Sequence, residues 1–156
     1  MRILVLASAL SLASPAFASF DPVEFFRGHS EGEGKLKIIF EKPRRVDVKS
    51  EGRVEKDGSL TLSQRVHQEG QVPRIRHWKL RRSGPTRFTG TLTDAAGPVT
   101  VDLVGARARI RYTMKNHMTV EQWLSRSGER TVSNQMKVRR FGLVVARFTE
   151  TIRKLD

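Results

Sequence analysis

Residues 107–115 read Arg107-Ala108-Arg109-Ile110-Arg111-Tyr112-Thr113-Met114-Lys115. Ala108, Ile110, Tyr112 and Met114 take one parity; Arg107, Arg109, Arg111 and Lys115 take the other. A pleated strand sends successive side chains to opposite faces, so this stretch is a strand with one buried and one wet face, as in an antiparallel sheet. The same period runs outward in both directions. Upstream it predicts strands over 36–41, 45–54, 60–68, 75–81, 87–92 and 99–104; downstream, over 118–125, 130–138 and 141–152. Turn residues separate them, with Asp57-Gly58, Glu69-Gly70, Gly84-Pro85, Asp94 to Gly97 and Asn116-His117 the clearest. About ten short strands joined by short turns make an antiparallel meander. Closing a meander of that length into an up-and-down β-barrel removes its edges, whereas a β-sandwich, the alternative, leaves four to protect. The expected fold class is therefore an all-β barrel.

Ahead of the strands, Asp21-Pro22-Val23-Glu24-Phe25-Phe26 predicts a short helix. Asp21 is a good N-cap, Pro22 suits the first helical position, Glu24 completes a capping box and Gly28 stops the run. So short a helix has no stability of its own in water, so Phe20, Phe25 and Phe26 must pack against one end of the sheet. Residues 1–18 carry a secretory pattern: Arg2, an apolar stretch from Ile3 to Ala13, the break Ser14-Pro15, and Ala16-Phe17-Ala18 as a small-x-small cleavage site. The apolar stretch is shorter than the roughly 20 residues that span a bilayer. The expectation is cleavage near Ala18, a single domain over 19–156, and a soluble periplasmic protein with no transmembrane segment.

The chain of 156 residues has 29 Lys plus Arg against 16 Asp plus Glu, a formal charge of +13, and no cysteine. Disulfides, thiolate zinc sites and cysteine nucleophiles are thereby excluded. There is no Gly-x-Ser-x-Gly elbow, no His-Glu-x-x-His helix and no phosphate-binding glycine loop. His29, His67, His77 and His117 are scattered. The reading is non-enzymatic, with no metal, cofactor or catalytic residue expected. The basic side chains form three groups: Arg74, Arg81, Arg82 and Arg87 flanking one hairpin, Arg107, Arg109 and Arg111 along one strand face, and Arg139, Arg140, Arg153 and Lys154 near the C-terminus. Nucleic acid is the usual partner of such charge. An export signal makes an anionic envelope surface, phospholipid or lipopolysaccharide, the expected partner instead.

Further motifs follow one another in a recognisable order. Phe25-Phe26-Arg27-Gly28 precedes Arg76-His77-Trp78-Lys79-Leu80, then Arg87-Phe88-Thr89-Gly90-Thr91-Leu92-Thr93-Asp94. Arg111-Tyr112-Thr113-Met114, Trp123, Asn134, Phe141-Gly142 and Thr149 complete the series. From about Phe20 to Lys154 this order resembles the bacterial domain-of-unknown-function family 3833 (DUF3833). The resemblance implies a lipocalin-like, calycin-type barrel carried by exported envelope proteins, with no established activity. Two departures stand out: there is no lipid-bearing cysteine, and Gln135 follows Asn134 where relatives often have Arg. A lipocalin in the narrow sense is excluded, because Gly32-Glu33-Gly34 lacks the Gly-x-Trp tryptophan.

A barrel interior is either filled or holds one small ligand. Trp78, Leu80, Tyr112, Met114 and Met136 are expected inside, and strand parity sends Arg76 and Glu150 in with them. Buried charges need partners, so Arg76 and Glu150 are expected to pair with each other or with backbone, or else Arg76 receives an anionic head group through its planar fork. With Trp123 and Asn134 from the family motifs, the candidate ligand-binding set is Arg76, Trp78, Tyr112, Met114, Trp123, Asn134, Met136 and Glu150. The expected ligand is small, amphipathic or lipid-like, and it requires an interior void of at least about 300 Å3. The alternative is a structural or interaction protein with a filled core, touching anionic envelope components through its basic surface.

Overall fold

The computed structural model describes residues 20–156; the secretory pattern of residues 1–18 lies outside the described residues. A helix α1 (Pro22–Phe26) is followed by ten strands: β1 (Gly28–Ile38), β2 (Arg44–Val54), β3 (Leu60–Gln68), β4 (Arg74–Gly84), β5 (Arg87–Leu92), β6 (Val99–Val104), β7 (Arg107–Thr113), β8 (Thr119–Arg126), β9 (Thr131–Arg140) and β10 (Leu143–Lys154). Each strand pairs with its sequence neighbours, and β1 pairs antiparallel with β10 from Ser30↔Lys154 to Ile38↔Ala146, which closes the barrel. No edge is left for another chain to pair with.

Inward rows alternate with outward ones along every strand. Val46 and Val48, Leu60 and Leu62, Trp78 and Leu80, Ala108, Ile110 and Tyr112, and Phe148 and Ile152 point inward and are buried. Each large side chain so buried contributes roughly 1.5–3 kcal/mol. The strands give the barrel two unlike ends. At one end Asp21 Oδ1 accepts from the backbone N–H of Val23 (2.8 Å) and Glu24 (3.3 Å), and capped α1 lies across the opening. Phe20, Phe25 and Phe26 are buried beneath it, with ring centroids 5.6 and 5.0 Å apart in sequence order. Lys154 Nζ donates to the carbonyls of Phe25 (3.2 Å) and Arg27, tying the last strand to the helix. The other end is an open mouth, bounded by the β1–β2, β3–β4, β5–β6, β7–β8 and β9–β10 turns.

Three sequence expectations change. Glu24 does not complete the capping box; its carboxylate accepts from Arg27 at 3.1 Å. The first strand starts at Gly28, not Leu36, and ends at Ile38. Its Gly28-to-Gly34 portion has low strand propensity and is held by pairing on both sides. A Cβ at Gly32 would stand 1.9 Å from Glu150 Oε1, so a larger residue there would require the Glu150 carboxylate to move. The last strand starts at Leu143 rather than Phe141. Phe141 and Gly142 form the hairpin turn, both with positive φ (49° and 79°), as the tight turns favoured by twisted strands require.

Candidate functional site

Between the helix and the mouth lies a cavity of about 120 Å3. Its floor is apolar: Pro22 and Phe26 of α1 with Leu60, Leu80 and Ile152. Its upper wall is apolar as well, where Val46, Val48, Val66 and Phe148 pack with Leu36 and Met136. Between them runs a belt of polar side chains. Gln64 Nε2 donates to Ser50 Oγ at 3.2 Å and Gln64 Oε1 accepts from Trp78 Nε1 at 2.6 Å. Across the barrel, Asn134 Nδ2 donates to Glu150 Oε2 at 2.9 Å. Gln122 completes the belt. Gln122 Oε1 and Asn134 Oδ1 are buried without a hydrogen-bond partner. Unpaired buried acceptors are costly, so both are available to a donor that enters the cavity.

Burial pushes the Glu150 carboxyl above its ordinary value, against the opposing hydrogen bond from Asn134 and charge of Arg76. Arg76 and Glu150 do not pair with each other as expected. Arg76 Nε stands 2.8 Å from Asp94 Oδ2, in ion-pair contact rather than an aligned hydrogen bond. Arg76 Nη2 donates to Tyr112 Oη at 3.1 Å, and its guanidinium lies 5.4 Å from the Trp78 ring centre. Burial raises the Tyr112 phenol while Arg76 opposes the shift. Arg76 therefore reaches the cavity with its charge already met by Asp94, which weakens it as a docking point for an anion.

The structure brings Arg76, Trp78, Asn134, Met136 and Glu150 to the cavity wall. Tyr112 is buried beside Trp78, edge to face at 6.0 Å, and reaches the cavity only through Arg76. Met114 is half-buried near the mouth, bridged to Ala95, and is not on the cavity wall. Trp123 is a correction: it lies on the outer face, under the guanidinium groups of Arg107 (4.3 Å) and Arg109 (5.6 Å). Its neighbours Gln122 and Leu124 take the inward parity and are buried. Arg74 is exposed, as expected, and also lines the cavity at the mouth. Gln64, Gln122 and Asp94 were missed by sequence reasoning.

On the outer surface Arg87, Arg109 and Arg111 converge on Asp102 at 2.7, 3.9 and 3.0 Å. Burial alone pushes Asp102 up, but the hydrogen bonds from Arg87 and Arg111 outweigh it and hold the carboxyl below its usual range. The arginine stripe is thus partly neutralised from within the chain. Arg82 turns to the helix end, where it donates to Asp21 at 3.1 Å and covers the Phe88 ring. Arg81 is exposed, Arg139 half-buried, and Arg140 lies 5.4 Å from the Phe141 ring centre.

The family profile described as a protein of unknown function (DUF3833) matches residues 7–154. The chain belongs to the DUF3833 family. A search of curated proteins finds no match. Among solved structures, this DUF3833 chain is similar to the S-type phycobiliprotein lyase CPES from Guillardia theta, with a TM-score of 0.66 at 7% identity over 86% of this chain and 90% of that one. It is likewise similar to Rv2717c from M. tuberculosis, with a TM-score of 0.66 at 12% identity over 88% of this chain and 100% of that one. A third is a protein of unknown function from the DUF3598 family of Nostoc punctiforme, with a TM-score of 0.65 at 10% identity over 85% and 48%. At such identities these likenesses concern the fold, a lipocalin-like barrel. Among the described residues no helix is long and apolar enough to cross a membrane, and no three His, Asp or Glu side chains gather as a metal site.

Proposed function

We propose that this DUF3833 protein is a non-enzymatic binding barrel, exported to the periplasm, that takes a small amphipathic molecule through its open mouth. The observation that carries this reading is the pair of buried, unpartnered acceptors, Gln122 Oε1 and Asn134 Oδ1, on the wall of a cavity with apolar floor and collar. The cavity, at about 120 Å3, falls short of the roughly 300 Å3 at which ligand pockets begin. A carrier enclosing a whole lipid-like molecule is set aside on that ground. What fits is a compact group near benzene in size, since a void of about 150 Å3 holds benzene. A hydroxyl or amide N–H on that group would donate to Gln122 and Asn134, with Trp78 and Met136 packing on its apolar part. Glu150, its carboxyl shifted toward the neutral form, donates or accepts in the same belt, and Arg76 is held aside by Asp94.

The small volume favours a second reading: a nearly filled barrel whose belt is satisfied by ordered water, with an interaction surface as its working part. Buried waters commonly bridge such groups. Native mass spectrometry of protein isolated from its host separates the two. A non-covalent adduct of small-molecule mass, lost in the Gln122→Leu/Asn134→Leu variant, supports binding. Protein at its bare mass, with melting unchanged by phenol, benzyl alcohol and hexanol, refutes it.

A further inference from the structure

Large apolar side chains are left exposed mainly at one end of the barrel. Phe40 is fully exposed, Phe141 93%, Val72 87% and Leu143 73%. Phe40, Val72 and Phe141 stand on the β1–β2, β3–β4 and β9–β10 turns and Leu143 opens β10, all at the mouth. Phe40 and Phe141 also adopt left-handed backbone, with φ of 63° and 49°. A bulky residue there is strained where glycine would not be, and among the described residues the exposed rings gain little in return beyond the Arg140 guanidinium 5.4 Å from the Phe141 ring centre. The two turns are neighbours, because β1 pairs with β10 and Ile39 N–H donates to the Val145 carbonyl at 3.0 Å. Basic residues surround them: Lys37, Lys42 and Arg44 on one hairpin, Arg139 and Arg140 on the other. Within residues 37–44 and 137–147 the single acid is Glu41, and it accepts from Arg44 at 3.0 Å.

We propose that this rim docks on a phospholipid bilayer carrying anionic head groups, with Phe40 and Phe141 inserted at the interface. Phe40, Val72 and Phe141 top separate turns. A bilayer interface accepts isolated aromatic wedges, each between its own lipids, while the flanking cations meet the phosphates. The docking surface is distinct from the Asp102-bound arginine stripe and stands whether or not the cavity takes a ligand. It turns the mouth toward the membrane.

The test uses the protein isolated from its host, its Phe141→Trp variant, and vesicles of phosphatidylcholine with or without about 30 mol % phosphatidylglycerol, brominated along the acyl chain. Docking predicts that the indole introduced at position 141 shifts to the blue and is quenched by bromine, above the parent's Trp78 and Trp123 background, on anionic vesicles only. It also predicts at least about tenfold weaker binding for Phe40→Ser/Phe141→Ser, whose exposed sites leave folding intact, and loss of parent binding near about 0.5 M salt. Three results each overturn the proposal: no quenching at position 141, a double variant that binds like the parent, or a parent dimer that the double variant dissolves, which makes the rim a self-association surface.

Discussion

Replacing Phe26 with alanine removes one ring from the floor of the cavity, and the consequences follow from its setting. Phe26 is the last residue of α1, buried, edge to face with Phe25 at 5.0 Å, and it lines the cavity. Phe→Ala changes in cores cost about 3–5 kcal/mol, including the void left behind. A domain of this size holds about 5–15 kcal/mol in all, so the variant remains folded but melts about 10–20 °C lower. The missing ring leaves a space of benzene size adjoining the existing 120 Å3. Scanning calorimetry with and without benzene reads both effects. Benzene at tenfold its dissociation constant restores about 1.4 kcal/mol to the variant and much less to the parent. A loss below about 1 kcal/mol would show that α1 does not seal the barrel. A large loss without benzene rescue would show that the space collapses and that no cavity adjoins the helix.

Glu150→Gln tests the polar belt through pH. Because the folded-state pKa of Glu150 is raised, the folded chain holds this proton more tightly than the unfolded one, and parent stability falls as pH rises from the ordinary carboxyl value to the raised one. Urea denaturation across that window should show this fall in the parent and not in the variant; parallel curves would disprove the shift. Asp102→Asn tests the outer cluster with the opposite sign: the lowered pKa gives the parent stability above the ordinary Asp value that is lost as pH falls through the folded value, and the variant should lack this acid-side loss. Gly90→Ala would place a Cβ 1.7 Å from the Lys79 carbonyl oxygen, forcing β4 and β5 apart, whereas a Cβ at Gly97 meets nothing within 4 Å. Thermal melts should show a loss of about 3 kcal/mol or more, or failure to fold, at position 90 and little change at 97; equal melts would contradict the close approach.

Where a strand carried its own alternation and ended in strong turns, the sequence was sufficient: the bounds of β3, β5 and β6 are those the pattern predicts. The N-terminal half of β1 was illegible because its inward row is Ser30, Gly32 and Gly34, side chains too small to register as apolar. Their smallness makes sense only once β10 is known to cross there with Phe148 and Glu150. Within the site, parity placed Arg76, Trp78 and Glu150 inside. The same rule, applied to β8, sends Val120, Gln122 and Leu124 inward and Trp123 outward. Trp123 belongs to the candidate set through the family motifs, which carry no information on which face of the strand it takes. Asp94 was legible only as a turn residue. Its approach to Arg76 depends on how the β5–β6 turn folds over the mouth, which no local pattern specifies.

A small molecule that enters beside the polar belt meets Trp78 and not Trp123, so the two tryptophans supply probe and control. Trp78 Nε1–H donates to Gln64 on the cavity wall, while Trp123 lies outside under Arg107. In 15N-labelled protein titrated with benzyl alcohol, the Trp78 indole signal should shift and saturate while that of Trp123 stays fixed. A Trp78 signal that does not move, or one that moves only together with Trp123, would contradict entry beside the belt.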